Sequence, residues 1–398
     1  MVQRIYDTML RAHLASHRQM AFVSGPRQVG KTTTCRAVGQ WYGNWDAEAD
    51  RRLIIGGTEA VAAAAGLDRL GKSRPVLVFD ELHKYPRWKG FLKGFFDTQE
   101  ERCRVVVTGS SRLEVFRRGG DSLMGRYFPY RMHPVTVAEW LHPSLPGEKL
   151  VRRPKAVDAD VWDAMWRHGG FPEPFLKADD RFTRRWRRLR RDQLLKEDLR
   201  ELSRVQEVAM IGILATLLED RSGRQLSWSG LAQDVGVAPN TVRSWVEILC
   251  SLHVGFVVRP WFRNVASALR KEPKWFLRDW SGVADEGARF ETMVACHLLK
   301  AVEAWTDLGH GDFELFYLGD KLKREVDFLV ARDGRPWFLV EAKCSDTALA
   351  PGLAHFQQQT GAAHAFQIVR DLPFVGADCF ARRDPVVVPA RTLLGQLI

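Results

Sequence analysis

The sequence predicts an α/β chain of several domains: a parallel-sheet core, a helical middle ending in a winged helix-turn-helix, and an α+β C-terminal domain built on a hairpin. Three observations predict it. Short apolar runs at Met20–Val23, Val76–Phe79 and Arg104–Val107 alternate with helical segments, and each ends in Gly, Asp or Ser, the pattern of buried parallel strands with functional loops at their C-terminal ends. Residues 151–280 read as mostly helical and rich in Arg and Trp. From about residue 285 strands return, at Phe313–Leu318, Val326–Val330, Trp337–Glu341 and Ala365–Val369. The expected boundaries are 1–150, 151–205, 206–284 and 285–398, with Lys149–Pro154 as a linker.

At 398 residues, 45% of them hydrophobic and 27% charged, the chain is too long for one core and too apolar for disorder. Fifty-nine Lys and Arg against 48 Asp and Glu leave a net charge of +11, which favours polyanionic partners. The six cysteines are scattered, with no C-x-x-C pair. That argues against a disulfide scaffold or a structural zinc site and fits a reducing cytoplasm. No run approaches the ~18 apolar residues of a membrane helix, so a cytoplasmic, membrane-free protein is expected.

The first strand leads into Gly25-Pro26-Arg27-Gln28-Val29-Gly30-Lys31-Thr32-Thr33, a complete G-x-x-x-x-G-K-T between a strand and a helix. Its glycines let backbone N–H groups face the phosphates of ATP, and the helix N-terminus adds partial positive charge. Lys31 is expected on the β- and γ-phosphates, and Thr32 on Mg²⁺. The second strand ends in Asp80-Glu81. Asp80 is placed to hold Mg²⁺ and Glu81 to deprotonate the attacking water; a plain helix cap at Glu81 is the bland alternative. The third strand ends in Thr108-Gly109-Ser110-Ser111, where Thr108 or Ser110 would report on the γ-phosphate, unless these are ordinary turn residues.

These motifs, followed in order by Asp80-Glu81-Leu82-His83-Lys84-Tyr85-Pro86, Gly125-Arg126 and Gly169-Gly170-Phe171-Pro172-Glu173, resemble a prokaryotic branch of the AAA+ ATPases. That branch joins an AAA+ core to a restriction-endonuclease-like C-terminal region and is largely of unknown function. The resemblance implies ring-forming oligomers, a hexamer among them, in which an arginine of one subunit completes its neighbour's ATP site. Arg126 best matches that position, with Arg117 and Arg118 as rivals.

In the middle, the run Arg181–Arg191 puts Arg184, Arg185, Arg187 and Arg188 on a helix that would track a phosphodiester backbone, with Phe182, Trp186 and Leu189 expected inward; a solvated charged face is the bland alternative. Leu231 to Leu249 has helix-turn-helix spacing. Gly236 makes the turn, Pro239 or Asn240 opens the second helix, Val242, Val246 and Leu249 face inward, and Gly255–Val258 follows as a wing. If this module reads DNA, Asn240, Thr241 and Arg243 are its exposed residues.

Near the C-terminus, Asp333-Gly334 between two apolar runs predicts a hairpin that brings Asp327 opposite Glu341, with Lys343 on the same face as Glu341. An upstream amphipathic helix offers Glu291. This D…E-x-K set resembles the restriction-endonuclease-like nucleases, and the resemblance implies that Asp327, Glu341 and Glu291 hold Mg²⁺ while Lys343 positions water. A surface ion-pair network is the bland reading, and a fold that holds branched DNA without cutting it is a third. Together these readings make the chain an ATP-hydrolysing motor that remodels DNA, branched DNA such as Holliday junctions included. Its rivals are an ATP-dependent nuclease and a nucleotide-switched regulator that binds DNA or protein.

Overall fold

The computed structural model describes residues 3–69, 74–109, 123–147, 149–195, 199, 205–261 and 272–398. Ser110, Arg117 and Arg118 lie outside the described residues. The chain divides into two compact units, residues 1–134 with 143–145, and residues 135–142 with 146–398.

The first unit contains β1 (Met20–Ser24), β2 (Trp41–Asn44), β3 (Val76–Asp80), β4 (Arg104–Thr108) and β5 (Tyr127–Arg131), with helices α1 (Ile5–Ser16), α2 (Lys31–Val38), α3 (Glu48–Ile55), α4 (Thr58–Ala64) and α5 (Trp88–Gln99). The sheet is parallel throughout, in the order β2-β3-β4-β1-β5. All five residues of β1 are buried, as are four of five in β3 and in β4, which is why these strands read as unbroken apolar runs rather than alternating ones. Phe22, Phe79, Trp88, Phe95 and Val107 share one core. In chain order β3 and β4 follow β1 but lie to one side of it, with β5 on the other, so the strand ends carrying Gly25, Asp80 and Thr108 fall side by side.

The second unit opens with α6 (Val137–Leu141), followed by α7 (Ala159–His168), α8 (Pro172–Lys177), α9 (Asp180–Gln193), α10 (Val205–Glu219), α11 (Trp228–Val235) and α12 (Pro239–Ser251). Residues 135–142, grouped by sequence with the first domain, are built into this unit. The backbone N–H of Val137 donates to His297 Nε2 at 3.2 Å, and Glu139 pairs with Lys300, both side chains fully buried. The expected linker is also anchored, because Arg152 N–H donates to the Gln396 carbonyl and Gln396 Nε2 donates back to the Arg152 carbonyl.

Helices α11 and α12 form the expected helix-turn-helix. The Ser227 side chain caps α11, Gly236 ends it at φ 75°, and Pro239 opens α12, each a residue suited to its place. Val242, Val246 and Leu249 are buried as expected. The wing strand β6 (Gly255–Pro260) pairs antiparallel with β7 (Lys274–Leu277), but its last two residues also pair with β8 (Phe313–Gly319). The wing therefore belongs to a seven-stranded sheet, β12-β11-β10-β9-β8-β6-β7, with β9 (Glu325–Arg332), β10 (Arg335–Lys343), β11 (His364–Val369) and β12 (Val386–Pro389). The wing strand and the C-terminal strands thus share one sheet. Helices α13 (Glu286–Asp307), α14 (Pro351–Thr360) and α15 (Ala390–Gly395) complete it. Asp333 and Gly334 turn the β9–β10 hairpin at φ 52° and 73°, the two positive values that a type I′ turn needs.

Among the described residues, no helix is long and apolar enough to cross a membrane.

Candidate ATP site and C-terminal carboxylate cluster

Gly25 follows β1 at φ 143°, and a Cβ there would lie 2.2 Å from the Met132 carbonyl oxygen; no other residue fits without moving the backbone. Gly30, at φ 100°, is the N-cap of α2. Between them, Pro26 and Val29 are buried, Arg27 is half-buried and Gln28 is exposed at φ 65°. Thr32 and Thr33 are exposed on the first turn of α2. The loop is held from outside by Arg4, whose guanidinium donates to the carbonyls of Val29 and, at 2.6 Å, His133. Nothing in the motif points to Arg4; it lies before the first strand and outside any recognisable pattern.

Lys31 is buried, with Nζ donating to the Gly25 carbonyl at 2.8 Å and the Pro26 carbonyl at 2.7 Å. Burial pulls its ammonium down to about 8, against the opposing pull of Glu81 and Asp80. Asp80 is the centre of the site. Thr32 Oγ1 donates to Oδ2 at 2.9 Å, Tyr42 OH to Oδ2 at 2.6 Å, and Thr108 Oγ1 to Oδ1 at 2.6 Å. Thr108, expected to report on the γ-phosphate, spends its hydroxyl on Asp80 instead. Tyr42, with Arg36 over its ring at 4.1 Å, was not foreseen; a tyrosine in a short strand carries no motif.

Glu81 has left-handed backbone geometry, φ 54°, and its N–H donates to the Thr108 carbonyl at 3.1 Å. Its carboxylate lies 3.4 Å from Lys84 Nζ and 3.7 Å from His83 Nε2, while Lys84 also pairs with Asp46 at 2.6 Å. Glu81 is thus tethered beside Asp80 rather than spent on a helix cap. The donor set of Thr32 and Asp80 is all oxygen, which fits Mg²⁺. Arg126 pairs bidentately with Asp97, at 2.7 and 2.9 Å.

On α9, Arg184, Arg185 and Arg188 are exposed and Arg187 is half-buried, donating to the Ser281 carbonyl at 3.0 Å. The inward face differs from expectation. Thr183, Trp186 and Arg190 are buried, Phe182 is half-buried and Leu189 is 53% exposed. Arg190 lies over the Phe171 ring at 4.2 Å, and this aromatic partner lets an arginine take the inward position expected for leucine. A cavity of about 390 Å³ adjoins the helix, with Arg184, Arg187 and Arg188 on its wall and Ala215, Val254 and Leu277 among its apolar residues. On α12, Asn240 and Arg243 are exposed and Thr241 half-buried, with Arg243 over the Trp228 ring at 5.5 Å.

In the second unit's sheet, the hairpin register runs to Phe328 opposite Val340, which leaves Asp327 and Glu341 next along the two strands. The Ala342 N–H donates to Asp327 Oδ2 at 2.9 Å, and the Asp327 N–H to Glu341 Oε2 at 3.4 Å. Lys343 Nζ pairs with Glu341 Oε1 at 2.8 Å. Glu291, from α13, joins them through a residue that sequence reading did not single out. Lys274 of β7 places its buried ammonium 3.0 Å from Glu291 and 3.5 Å from Asp327, and bonds Glu325 as well. Burial would lower the Lys274 ammonium, but Glu291, Asp327 and Glu325 together hold it above its ordinary range. Burial and Asp327 push the Glu291 carboxyl up to about 8, with Lys274 opposing, and the same two causes raise Glu341. Among the described residues, no three His, Cys, Asp or Glu side chains converge to hold a metal ion. The nuclease-like set is thus assembled, with the Lys274 ammonium among its carboxylates.

Residues 17–141 match the family profile described as "AAA domain", and residues 159–284 and 286–372 match two domains of unknown function, DUF8612 and DUF4143. Two uncharacterized mycobacterial proteins, from Mycobacterium bovis and Mycobacterium tuberculosis, are each 24% identical to the chain over 347 residues, covering 83% of it and 72% of their own length. Among solved structures, the Aeropyrum pernix ORC1 protein in complex with DNA is similar at a TM-score of 0.33 and 15% identity, covering 74% of this chain and 93% of that one. The chain therefore carries an AAA-type nucleotide-binding domain, for which ATP with Mg²⁺ is the implied ligand.

Proposed function

We propose that the protein is an ATP-hydrolysing motor that assembles into a ring and remodels DNA, with branched DNA as the favoured substrate. The observation that carries the ATPase part is the set of hydroxyls gathered on Asp80 beside a tethered Glu81 and a buried Lys31. Lys31 would turn its donors from the loop carbonyls to the β- and γ-phosphates. Thr32 and Asp80 would hold Mg²⁺, which when bound neutralises phosphate charge. Glu81 would accept the proton of the attacking water, with Lys84 holding its carboxylate in place at 3.4 Å.

The DNA part is supported by the exposed Arg184, Arg185 and Arg188, by the exposed Asn240 and Arg243 at the start of α12, and by the net charge of +11. Such arginines neutralise phosphates and make binding salt-dependent. In a ring, Arg126 would exchange Asp97 for a neighbour's γ-phosphate; Ser110 remains the candidate for sensing that phosphate.

The test is steady-state ATP hydrolysis by wild type and Glu81→Gln without DNA and with duplex, single strand and a four-way junction, with strand integrity followed in the same tubes. Junction-stimulated hydrolysis that Glu81→Gln loses, with strands intact, is the expected result. Hydrolysis indifferent to every DNA, in an oligomeric preparation, would overturn the motor reading and favour a nucleotide-switched regulator.

A further inference from the structure

We propose that Lys274 is a resident cation standing in for a divalent metal, so that the C-terminal carboxylate cluster binds no metal and does not cleave phosphodiesters. The inference is independent of whether the protein acts on DNA.

The argument is an accounting of carboxylate oxygens. Asp327 and Glu341 are the pair that a metal-dependent nuclease would use, and each of their four oxygens already faces a donor. Asp327 Oδ1 faces Lys274 and Oδ2 accepts from Ala342 N–H, while Glu341 Oε1 accepts from Lys343 and Oε2 from Asp327 N–H. Glu291, the helical carboxylate that would complete a metal shell, is turned to Lys274 at 3.0 Å. One ammonium thus bridges carboxylates from β9 and α13, the bridging role that a Mg²⁺ ion takes in such a site.

The lysine is delivered by the fold rather than by the motif. It begins β7, the partner of the wing strand β6, and its side chain is only 4% exposed. A divalent ion arriving between Asp327 and Glu291 would meet a fixed positive charge at bonding distance from both. At such separations, in a site largely closed to water, like-charge repulsion is weakly screened and opposes the ion. A buried ammonium also cannot be withdrawn cheaply, because leaving three carboxylates without it costs more than the ion pair gains. The same bridge fastens the wing hairpin to the C-terminal sheet, in keeping with their being one unit.

The experiment uses the full chain, freed of nucleotide, and titrates Mn²⁺ by electron paramagnetic resonance. Binding that differs between wild type and Asp327→Asn reports on this cluster and not on the ATP site. We expect wild type and Asp327→Asn to bind Mn²⁺ alike, and Lys274→Ala to gain a site at least tenfold tighter, lost again in Lys274→Ala/Asp327→Asn. Wild-type Mn²⁺ binding or Mn²⁺-dependent DNA cleavage that Asp327→Asn abolishes would overturn the proposal. So would a folded Lys274→Ala that gains no site. Should Lys274→Ala fail to fold, the wild-type comparison still decides, and Lys274→Arg, which keeps the cation, should fold and match wild type in Mn²⁺ binding.

Discussion

The ATP site and the C-terminal cluster use the same residue types at strand ends, and they treat their lysines in opposite ways. In the first unit Lys31 is bonded to two main-chain carbonyls, and Asp80 is held by three hydroxyls. Neutral partners of this kind exchange for a phosphate or a metal without stranding a charge. In the second unit Lys274 and Lys343 sit directly on the carboxylates, and removing either leaves charge uncompensated. Lys31 and Asp80, the groups that would meet a charged ligand, are held by neutral partners, whereas the carboxylates of the second cluster are matched directly by lysines.

A wholly structural pair sets the scale for this comparison. Lys300 and Glu139 are 0% exposed in the second unit, and Glu139→Gln should cost about 3–5 kcal/mol, measured by chemical denaturation. A cost under about 1 kcal/mol would show that direct lysine–carboxylate pairs in this unit are not scaffold.

Lys31 should behave in the reverse sense. Its ammonium falls from 10.5 to about 8 in the folded chain, so at pH 7 the fold bears a penalty of about 3 kcal/mol. Lys31→Met should therefore stabilise the nucleotide-free first unit while weakening nucleotide binding by about a hundredfold, both readable from a thermal melt with and without a fluorescent ATP analogue. For wild type free of nucleotide and Mg²⁺ the sign follows directly. The folded state releases its proton first, so stability rises with pH between about 8 and 10.5. A Lys31→Met protein less stable than wild type would break the contrast.

Each unit also buries a histidine, His13 and His297, that burial holds down to about 4. His297 is neutral in the fold and protonated in the unfolded chain between about 4 and 6.5. Its share of stability is complete above pH 6.5 and is lost as pH falls toward 4, up to about 3 kcal/mol. Denaturation midpoints across that range should fall more steeply for wild type than for His297→Asn; parallel slopes would remove His297 from the account.

The smallest effect is expected at Tyr42→Phe, which removes one of three hydroxyls on Asp80. About 1 kcal/mol of stability should go, with ATP hydrolysis kept within a few-fold. Loss of hydrolysis would place Tyr42 in the reaction rather than beside it.

Legibility in the sequence follows the range over which each feature is decided. The P-loop, the Asp80-Glu81 strand end, the helix-turn-helix and the Asp333-Gly334 turn are local: backbone sterics and a few neighbours dictate them, and all appear at the expected residues. The face of α9 shows where local reading stops. Helical spacing offered Leu189 to the core, but Phe171, arriving from α8's side, accepts the Arg190 guanidinium, and Leu189 points outward.

By itself the sequence determined which carboxylates and lysines stand at the strand ends and that the first set is built for a nucleotide, because strand periodicity and glycine sterics act within a few residues. Tertiary structure alone decided that Arg4 braces the phosphate loop, that the wing strand joins the C-terminal sheet, and that Lys274 reaches Glu291 and Asp327. These are meetings of residues tens of positions apart, and the charge of a site depends on which cation such a meeting delivers.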